Sequence, residues 1–278
     1  MAHLVRTDRP DRCSVGSARR YRAARSRNGG AVTGPAPDGL RVPVADPAAA
    51  AQFYADVLGA DLVGNGATVD LHGTGTVEFV SAEHPLSRFP RVVVTYVLDQ
   101  PSEVEDVTGA ASARGAEILK PAKKALFGSF SGTFRAPDGL VWKLASDKRK
   151  DNGRAASEPK PIETSLILGV REPTASRSFY TSLGMQTDRD YGNKYIDFVP
   201  APGTARLCSM PGAALAKDVG VADSSEASDV AFVHRTSAAE AERLLAAAAT
   251  AGGHVLPDAS GAQAFADPDG FRWLVVTQ

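Results

Sequence analysis

The sequence has little cysteine, little net charge and no long apolar run. Its 278 residues include two cysteines, Cys13 and Cys208, and carry a formal net charge of −1. Two distant cysteines exclude a disulfide framework or a zinc-finger spacing, and they favour a reducing, cytoplasmic setting. The balanced charge argues against a nucleic-acid partner, and the lack of an apolar run of about 20 residues argues against a membrane-spanning helix. With 43% hydrophobic residues, the chain has enough apolar material for two ordinary domains.

The first 37 residues also lack apolar periodicity. They carry eight arginines and two aspartates, and no apolar segment typical of a secretory signal follows the charges. Such a composition cannot bury a core, so residues 1–37 are predicted to be a disordered basic leader. A basic arm for nucleic acid or a targeting peptide is the alternative.

The rest of the chain contains an internal sequence repeat. The segment "DPAAAAQFYADVLGADL" at 46–62 matches "EPTASRSFYTSLGMQTD" at 172–188, and "APDGLVWK" at 136–143 matches "ADPDGFRW" at 266–273. Repetition over this length indicates a duplicated domain. We therefore predict one domain at 38–146 and another at 162–278, joined by the polar, charged linker 147–161.

Each half repeats one order of elements, a strand, a helix and three strands. In the first module a short β-branched run precedes Asp46 and Pro47, which suit the start of a helix, and Gly59 suits its end. Phe53 and Tyr54 lie on the apolar side of this helix, so the helix is expected to pack on a sheet. The same reading over the whole chain gives four βαβββ modules, an α+β fold.

Four βαβββ modules with "FY…LG" after the first strand and "PDG" before the last resemble the vicinal oxygen chelate superfamily. That superfamily includes glyoxalase I, the bleomycin-resistance proteins and the extradiol dioxygenases. The resemblance covers about residues 38–278 and implies two glyoxalase-like domains whose concave mixed sheets enclose a cleft.

The resemblance also implies a divalent metal, held by His, Gln or Glu side chains on the first and last strands of the modules. The positions that correspond here are Gly39, Glu78, Val92 and Lys143 in the first half, and Ser165, Arg206, Asp229 and Leu274 in the second. Each half therefore keeps one good ligand, and no cofactor and no metal site are expected.

Charged residues stand at several of these positions instead. We predict two ion pairs, Glu78–Lys143 and Arg206–Asp229, each at the place of the lost metal. Strand alternation adds Arg41 and Tyr96 to the first cleft. Phe127 and Phe130 are candidates for the rim of this cleft. The candidate ligand-binding residues are Arg41, Glu78, Tyr96, Lys143, Ser165, Arg206 and Asp229.

These observations favour a protein that binds a small organic molecule without a metal, as a monomer or a homodimer. Two alternatives stay open. One is a metal-dependent lyase, isomerase or dioxygenase of the same superfamily with atypical ligands, for which the catalytic residues are unknown. The other is a non-catalytic interaction protein whose clefts are filled.

Overall fold

A computed structural model describes residues 34–124, 129–224, 229–257 and 263–278. In the first half the elements are β1 (Gly39–Val44), α1 (Pro47–Leu58), β2 (Asp61–Val63), β3 (Thr68–Asp70), β4 (Thr76–Ser81), β5 (Val92–Val97), α2 (Pro101–Ala113), β6 (Glu117–Lys124), β7 (Phe130–Arg135) and β8 (Val141–Ser146). In the second half they are β9 (Glu163–Val170), α3 (Pro173–Ser182), β10 (Thr187–Asp190), β11 (Ile196–Phe198), β12 (Arg206–Pro211), α4 (Gly212–Val219), β13 (Ala231–Thr236), α5 (Ala238–Thr250), β14 (His254–Leu256), β15 (Gln263–Ala266) and β16 (Arg272–Thr277), with a 3-10 turn at Gly192–Lys194.

Helix α1 begins and ends where its sequence predicts. The Asp46 carboxylate accepts a hydrogen bond from the backbone N–H of Ala49 at 3.0 Å, and Gly59 ends the helix with a φ of 62°. The buried side of the helix includes Phe53 and Tyr54. Capping and periodicity therefore place this helix on its sheet as expected.

Two mixed sheets of eight strands each form the framework. Sheet A has the order β14-β15-β16-β13-β1-β4-β3-β2, and sheet B has the order β10-β11-β12-β9-β5-β8-β7-β6. The predicted α+β fold of four βαβββ modules is confirmed. The antiparallel pairs β1–β13 and β5–β9 join the modules at the centre of each sheet, so sheet A combines the first and fourth modules and sheet B the second and third. Each half of the duplicated sequence thus supplies one module to each sheet.

Helices α1, α2, α3 and α5 contribute to one large core together with one face of each sheet. In the first half, the tyrosine of the FY motif and the aspartate of the PDG turn meet inside this core. Tyr54 donates a hydrogen bond from its hydroxyl to the Asp138 carboxylate at 2.6 Å, and the Trp142 indole N–H donates to the same hydroxyl at 3.1 Å. The two sequence motifs of a half are therefore linked by hydrogen bonds.

The second half builds the same trio with an aspartate two positions earlier in the motif. Tyr180 donates to Asp267 at 2.8 Å, and Trp273 donates to Tyr180 at 3.2 Å. Asp269, which matches the first PDG aspartate, instead accepts hydrogen bonds from the backbone and side chain of Arg171, both at 3.0 Å. Both tryptophans are fully buried, as expected for a packing role.

Residues 34–37 also belong to the packed structure. All four are buried, and the backbone N–H of Ala36 donates to the His234 ring at 3.3 Å. The predicted leader therefore extends too far at its C-terminal end, and its remainder, 1–33, lies outside the described residues. Among the residues that the structure describes, no helix has the length and apolar character to cross a membrane.

Candidate functional site

Each sheet has a second face, on the side opposite the large core, and these two faces hold most of the candidate residues. Strand alternation sends Leu40 and Val42 into the core, and it sends Arg41 to the other side of sheet A. We call the side that carries Arg41 and Glu78 face A. The side of sheet B that carries Lys143 and Arg206 is called face B.

Face B collects three predicted residues in one row across four strands. Arg206 lies opposite Ser165, Ser165 opposite Thr95, and Thr95 opposite Lys143. Cross-strand partners share a face, so these four side chains are neighbours in space. The sequence prediction placed Val92 rather than Thr95 in this row, which is the wrong side of β5.

Arg206 is nearly buried and is surrounded by three carboxylates. Its guanidinium is 3.0 Å from Glu163 and 2.7 Å from Asp188, and 3.8 Å from Asp197, whose side chain is fully buried. Burial by itself would lower the pKa of Arg206, but Glu163 and Asp197 outweigh it and raise that pKa. The predicted Arg206–Asp229 pair is wrong, because Asp229 is exposed just before β13 of the other sheet.

The predicted Glu78–Lys143 pair is also wrong. The two residues lie in different sheets, because the first and second modules do not share one. Glu78 accepts a hydrogen bond from Arg41 Nε at 3.0 Å, and the buried Lys143 donates to Asp218 at 2.6 Å. Glu78 and Lys143 each form an ion pair with a residue on their own side of the structure, and not with each other.

Helix α4 covers much of face B. Its residues Leu215, Ala216 and Val219 are buried. They pack against the face B residues Val93, Val141, Ile167, Cys208 and Met210. The end of the helix is fixed by Lys120, which donates to the carbonyls of two α4 residues at 2.7 and 2.5 Å. This part of face B is therefore filled by the chain itself.

Tyr96 lies on the core side of sheet B and not on face B. It is fully buried, with its ring edge-on to Trp142 at 5.9 Å between centroids. Its hydroxyl has no hydrogen-bond partner among the described residues, and burial raises its pKa. Of the two rim candidates, Phe130 packs against the core, and Phe127 lies outside the described residues.

A cavity of about 400 Å³ lies at the end of face B, beside α4. One wall is Arg135, which shares a row with Val141 on face B. Phe89 and Val221 belong to the apolar cluster around α4 and form another wall. The lining residues are Arg88, Phe89, Arg135, Val221, Ala222, Asp223 and Ser224. Sequence reasoning missed this cavity, because all of its lining except Arg135 comes from segments between the modules.

The residues at the metal positions do not fit a divalent cation. On face B, Lys143 and Arg206 bring positive charge to the row, and on face A the Glu78 carboxylate is already paired with Arg41. Divalent ions need several N or O donors without competing cations. Within the described ranges, no group of three or more His, Cys, Asp or Glu side chains could hold a metal.

Comparisons with known proteins agree with this architecture. Residues 37–144 match the family model described as the glyoxalase/bleomycin resistance protein/dioxygenase superfamily. A candidate dioxygenase of Bacillus subtilis is similar over 89% of this chain and 86% of its own, with 15% identity and a TM-score of 0.60. Glyoxalase I of Zea mays is similar over 86% of this chain and 91% of its own, with 18% identity and a TM-score of 0.57. These structures share the fold, and no curated protein matches the chain.

Proposed function

We propose that this chain, whose residues 37–144 match the glyoxalase/bleomycin resistance protein/dioxygenase superfamily, binds a small organic molecule without a metal, in the cavity beside α4. The single observation that carries this proposal is the cavity itself. Its volume of about 400 Å³ falls in the range of sites for small organic ligands. The residues at the superfamily's metal positions support the metal-free part of the proposal.

The walls of the cavity suit a ligand with an apolar body and an acceptor group. Phe89 and Val221 offer apolar surface, and Arg88 and Arg135 lie in the same lining with one carboxylate, Asp223. Arg135 also donates to Glu117 at 2.5 Å, which holds its guanidinium at the edge of the sheet. Arginine recognises planar acceptor groups through paired N–H donors. The ligand class is therefore a small aromatic or aliphatic molecule with a carbonyl or carboxylate.

The proposal is tested by a thermal-shift screen of small organic molecules on the full chain, followed by calorimetric titration of each hit. Every titration is run with and without prior removal of metals by a chelator. The expected result is one-to-one binding with the same Kd in both preparations. Ala222→Phe places a ring in the lining of the cavity and is expected to abolish binding because the ring occupies the ligand's space, and the fold is expected to persist because Ala222 is exposed.

Two matched variants separate the cavity from the general surface. Arg135→Gln is expected to weaken binding about tenfold, or about 1.4 kcal/mol. Arg114→Gln removes an arginine of similar exposure from an ion pair with Asp56 and is expected to change nothing. Ala113→Phe, at an exposed helix end, is the control for the added ring. Loss of binding on chelation, or equal effects of test and control variants, would overturn the proposal.

A second candidate, an interaction protein with filled clefts, is favoured by one observation. Helix α4 occupies on face B the place where the superfamily resemblance puts a cleft. The same screen decides between the two functions, because a ligand that binds one-to-one stabilises the folded state. If no small molecule stabilises the protein, the interaction role is favoured.

A further inference from the structure

A row of side chains on face A places two arginines on either side of an alanine. Arg41 on β1 lies directly opposite Ala231 on β13, and Ala231 lies opposite Arg272 on β16. Neighbouring strands are about 4.8 Å apart, so the two arginine backbones are about 10 Å apart. Val42 and Trp273, which directly follow Arg41 and Arg272, both lie in the large core. Because successive side chains of a strand point to opposite sides, both arginine side chains lie on face A. The small alanine leaves space between the two longer side chains.

The two guanidiniums have donors to spare. Arg41 uses its Nε–H for Glu78, which is one of the five N–H groups of an arginine. The Nε of Arg272 is buried and has no hydrogen-bond partner among the described residues. A buried donor of a charged group without an acceptor is costly, so a ligand that brings an acceptor is favoured here.

The surroundings of the row are apolar. Ala231 packs in a small cluster with Ala264 and Leu274, and this cluster is separate from the large core. Glu78 is the carboxylate beside this row, and it forms an ion pair with Arg41 at 3.0 Å. A row with two guanidiniums, one carboxylate and an apolar base carries a net positive charge.

We propose that Arg41 and Arg272 form a clamp for one oxyanion group, a carboxylate or a phosphate, which sits above Ala231. This site lies on sheet A and does not involve the cavity beside α4 on sheet B. The proposal is therefore independent of the proposed function, and each can fail without the other. The oxyanion accepts hydrogen bonds from both arginines, and an attached apolar group lies along the alanine and leucine side chains of the small cluster.

The direct test uses the full chain and three probes, benzoate, phenyl phosphate and inorganic phosphate. Binding is followed through the Nε–H signals of arginine in ¹H–¹⁵N spectra. At least one probe is expected to move the Arg272 signal with saturation. Benzoate alone would identify a carboxylate site, and the two phosphates would identify a phosphate site. Arg41→Gln and Arg272→Gln are each expected to raise the Kd at least tenfold, whereas Arg177→Gln, in an ion pair with Asp190 on sheet B, is expected to leave it unchanged.

A second test compares two variants at Ala231, and its stability readout does not depend on the choice of probe. Ala231→Asp places a carboxylate between the two arginines, and Ala231→Asn places a neutral group of the same shape there. If the clamp exists, the aspartate variant has a Tm at least as high as the asparagine variant and no longer binds the probe. A lower Tm for the aspartate variant, or equal loss of binding in Arg177→Gln and Arg272→Gln, would overturn the proposal.

Discussion

Two carboxyl groups, one partly buried and one fully buried, are hydrogen-bonded to tyrosines of the core. Asp138 and Asp267 each accept a hydrogen bond from a core tyrosine, and burial raises the pKa of each carboxyl to about 6, although these hydrogen bonds oppose the change. Burial also raises the pKa of Tyr54 and Tyr180 well above the ordinary value. The tyrosines therefore remain donors over the whole physiological range, and the carboxyls change charge near pH 6.

The raised pKa values predict a pH dependence of stability. Between the ordinary pKa of 3.8 and about 6, the folded state holds protons on Asp138 that the unfolded state has lost. This contribution to stability is complete below pH 3.8 and is lost as the pH rises to about 6. Asp138→Asn removes the titration, so the variant is expected to gain stability relative to the parent between pH 4 and 7, by up to about 3 kcal/mol.

Urea unfolding at several pH values measures this difference directly. Asp99→Asn is the control, because Asp99 is half exposed in an ion pair with Lys148. The control is expected to keep a constant difference from the parent across pH 4 to 7. A constant difference for Asp138→Asn as well would show that the buried carboxyl does not titrate in this window.

The buried arginine of face B gives a second prediction. Arg206→Met removes the cation that Glu163 and Asp197 share and leaves Asp197 its ion pair with Arg189, so the free energy of unfolding is expected to fall by about 3 kcal/mol at pH 7, the low end for a broken buried pair. Burial already raises the pKa of Asp197. The loss is therefore expected to shrink at pH 5, where Asp197 binds a proton more readily.

Chemical denaturation of Arg206→Met and Arg177→Met at both pH values checks this result. Arg177 forms an ion pair with Asp190, and both side chains are about one-third exposed, so its removal is expected to cost at most about 1 kcal/mol. Similar losses in the two variants would mean that the charges around Arg206 are solvated rather than buried.

At the scale of elements, α4 is the feature that most changes the expected cleft. The segment carries recognisable signals, with Gly220 at a φ of 86° after apolar residues that include Leu215 and Val219. Sequence reasoning missed the helix because it is short and lies between two modules. The helix has a large effect on the expected cleft, because its apolar residues pack on face B and bury much of that face in a second apolar cluster.

Removal of one α4 side chain is expected to be as costly as a core mutation. Leu215→Ala deletes a fully buried side chain and is predicted to lower the free energy of unfolding by about 2–5 kcal/mol. Leu62→Ala, at a leucine that is 44% exposed on an edge strand, is expected to change it by about 0.5 kcal/mol or less. Thermal and urea unfolding of both variants gives the comparison, and equal small effects would mean that α4 does not pack on face B.

At the scale of the whole molecule, the sequence predicts the modules but not their partners. Caps, turns and alternation identify the strands and helices, because these signals are local. Which strand lies beside which is decided by contacts between distant segments, and no local pattern contains it. For the same reason Glu78 and Lys143 were expected together, although they lie in different sheets.

The sequence also does not indicate which side of β5 faces the core. Residues Val92–Val97 are buried on both faces for nearly the whole strand, so no alternation of polar and apolar residues marks the orientation. Counting from the end of the strand then placed Val92 rather than Thr95 beside Lys143. Lys143 was predicted in the first cleft and Ser165 and Arg206 in the second, and the structure brings all three to face B because sheet B combines the second and third modules.

The pairing of modules across the two halves predicts how the chain responds to a cut in the linker. The central pairs β1–β13 and β5–β9 each join one strand from the first half to one from the second. A protease site inserted after the exposed Gly153 cuts the chain between the halves. The two pieces are expected to remain together as a one-to-one complex with nearly unchanged Tm, because both sheets still bridge them.

Separate expression of residues 34–146 and 162–278 completes this test. Each piece alone leaves β1, β5, β9 or β13 with an unpaired edge and an exposed apolar core surface, so each is expected to aggregate or unfold. Mixing during refolding is expected to restore one complex, as judged by size-exclusion chromatography with light scattering. Two stable, separate monomers would instead mean that each half pairs its own modules, and the arrangement of both sheets would then be wrong.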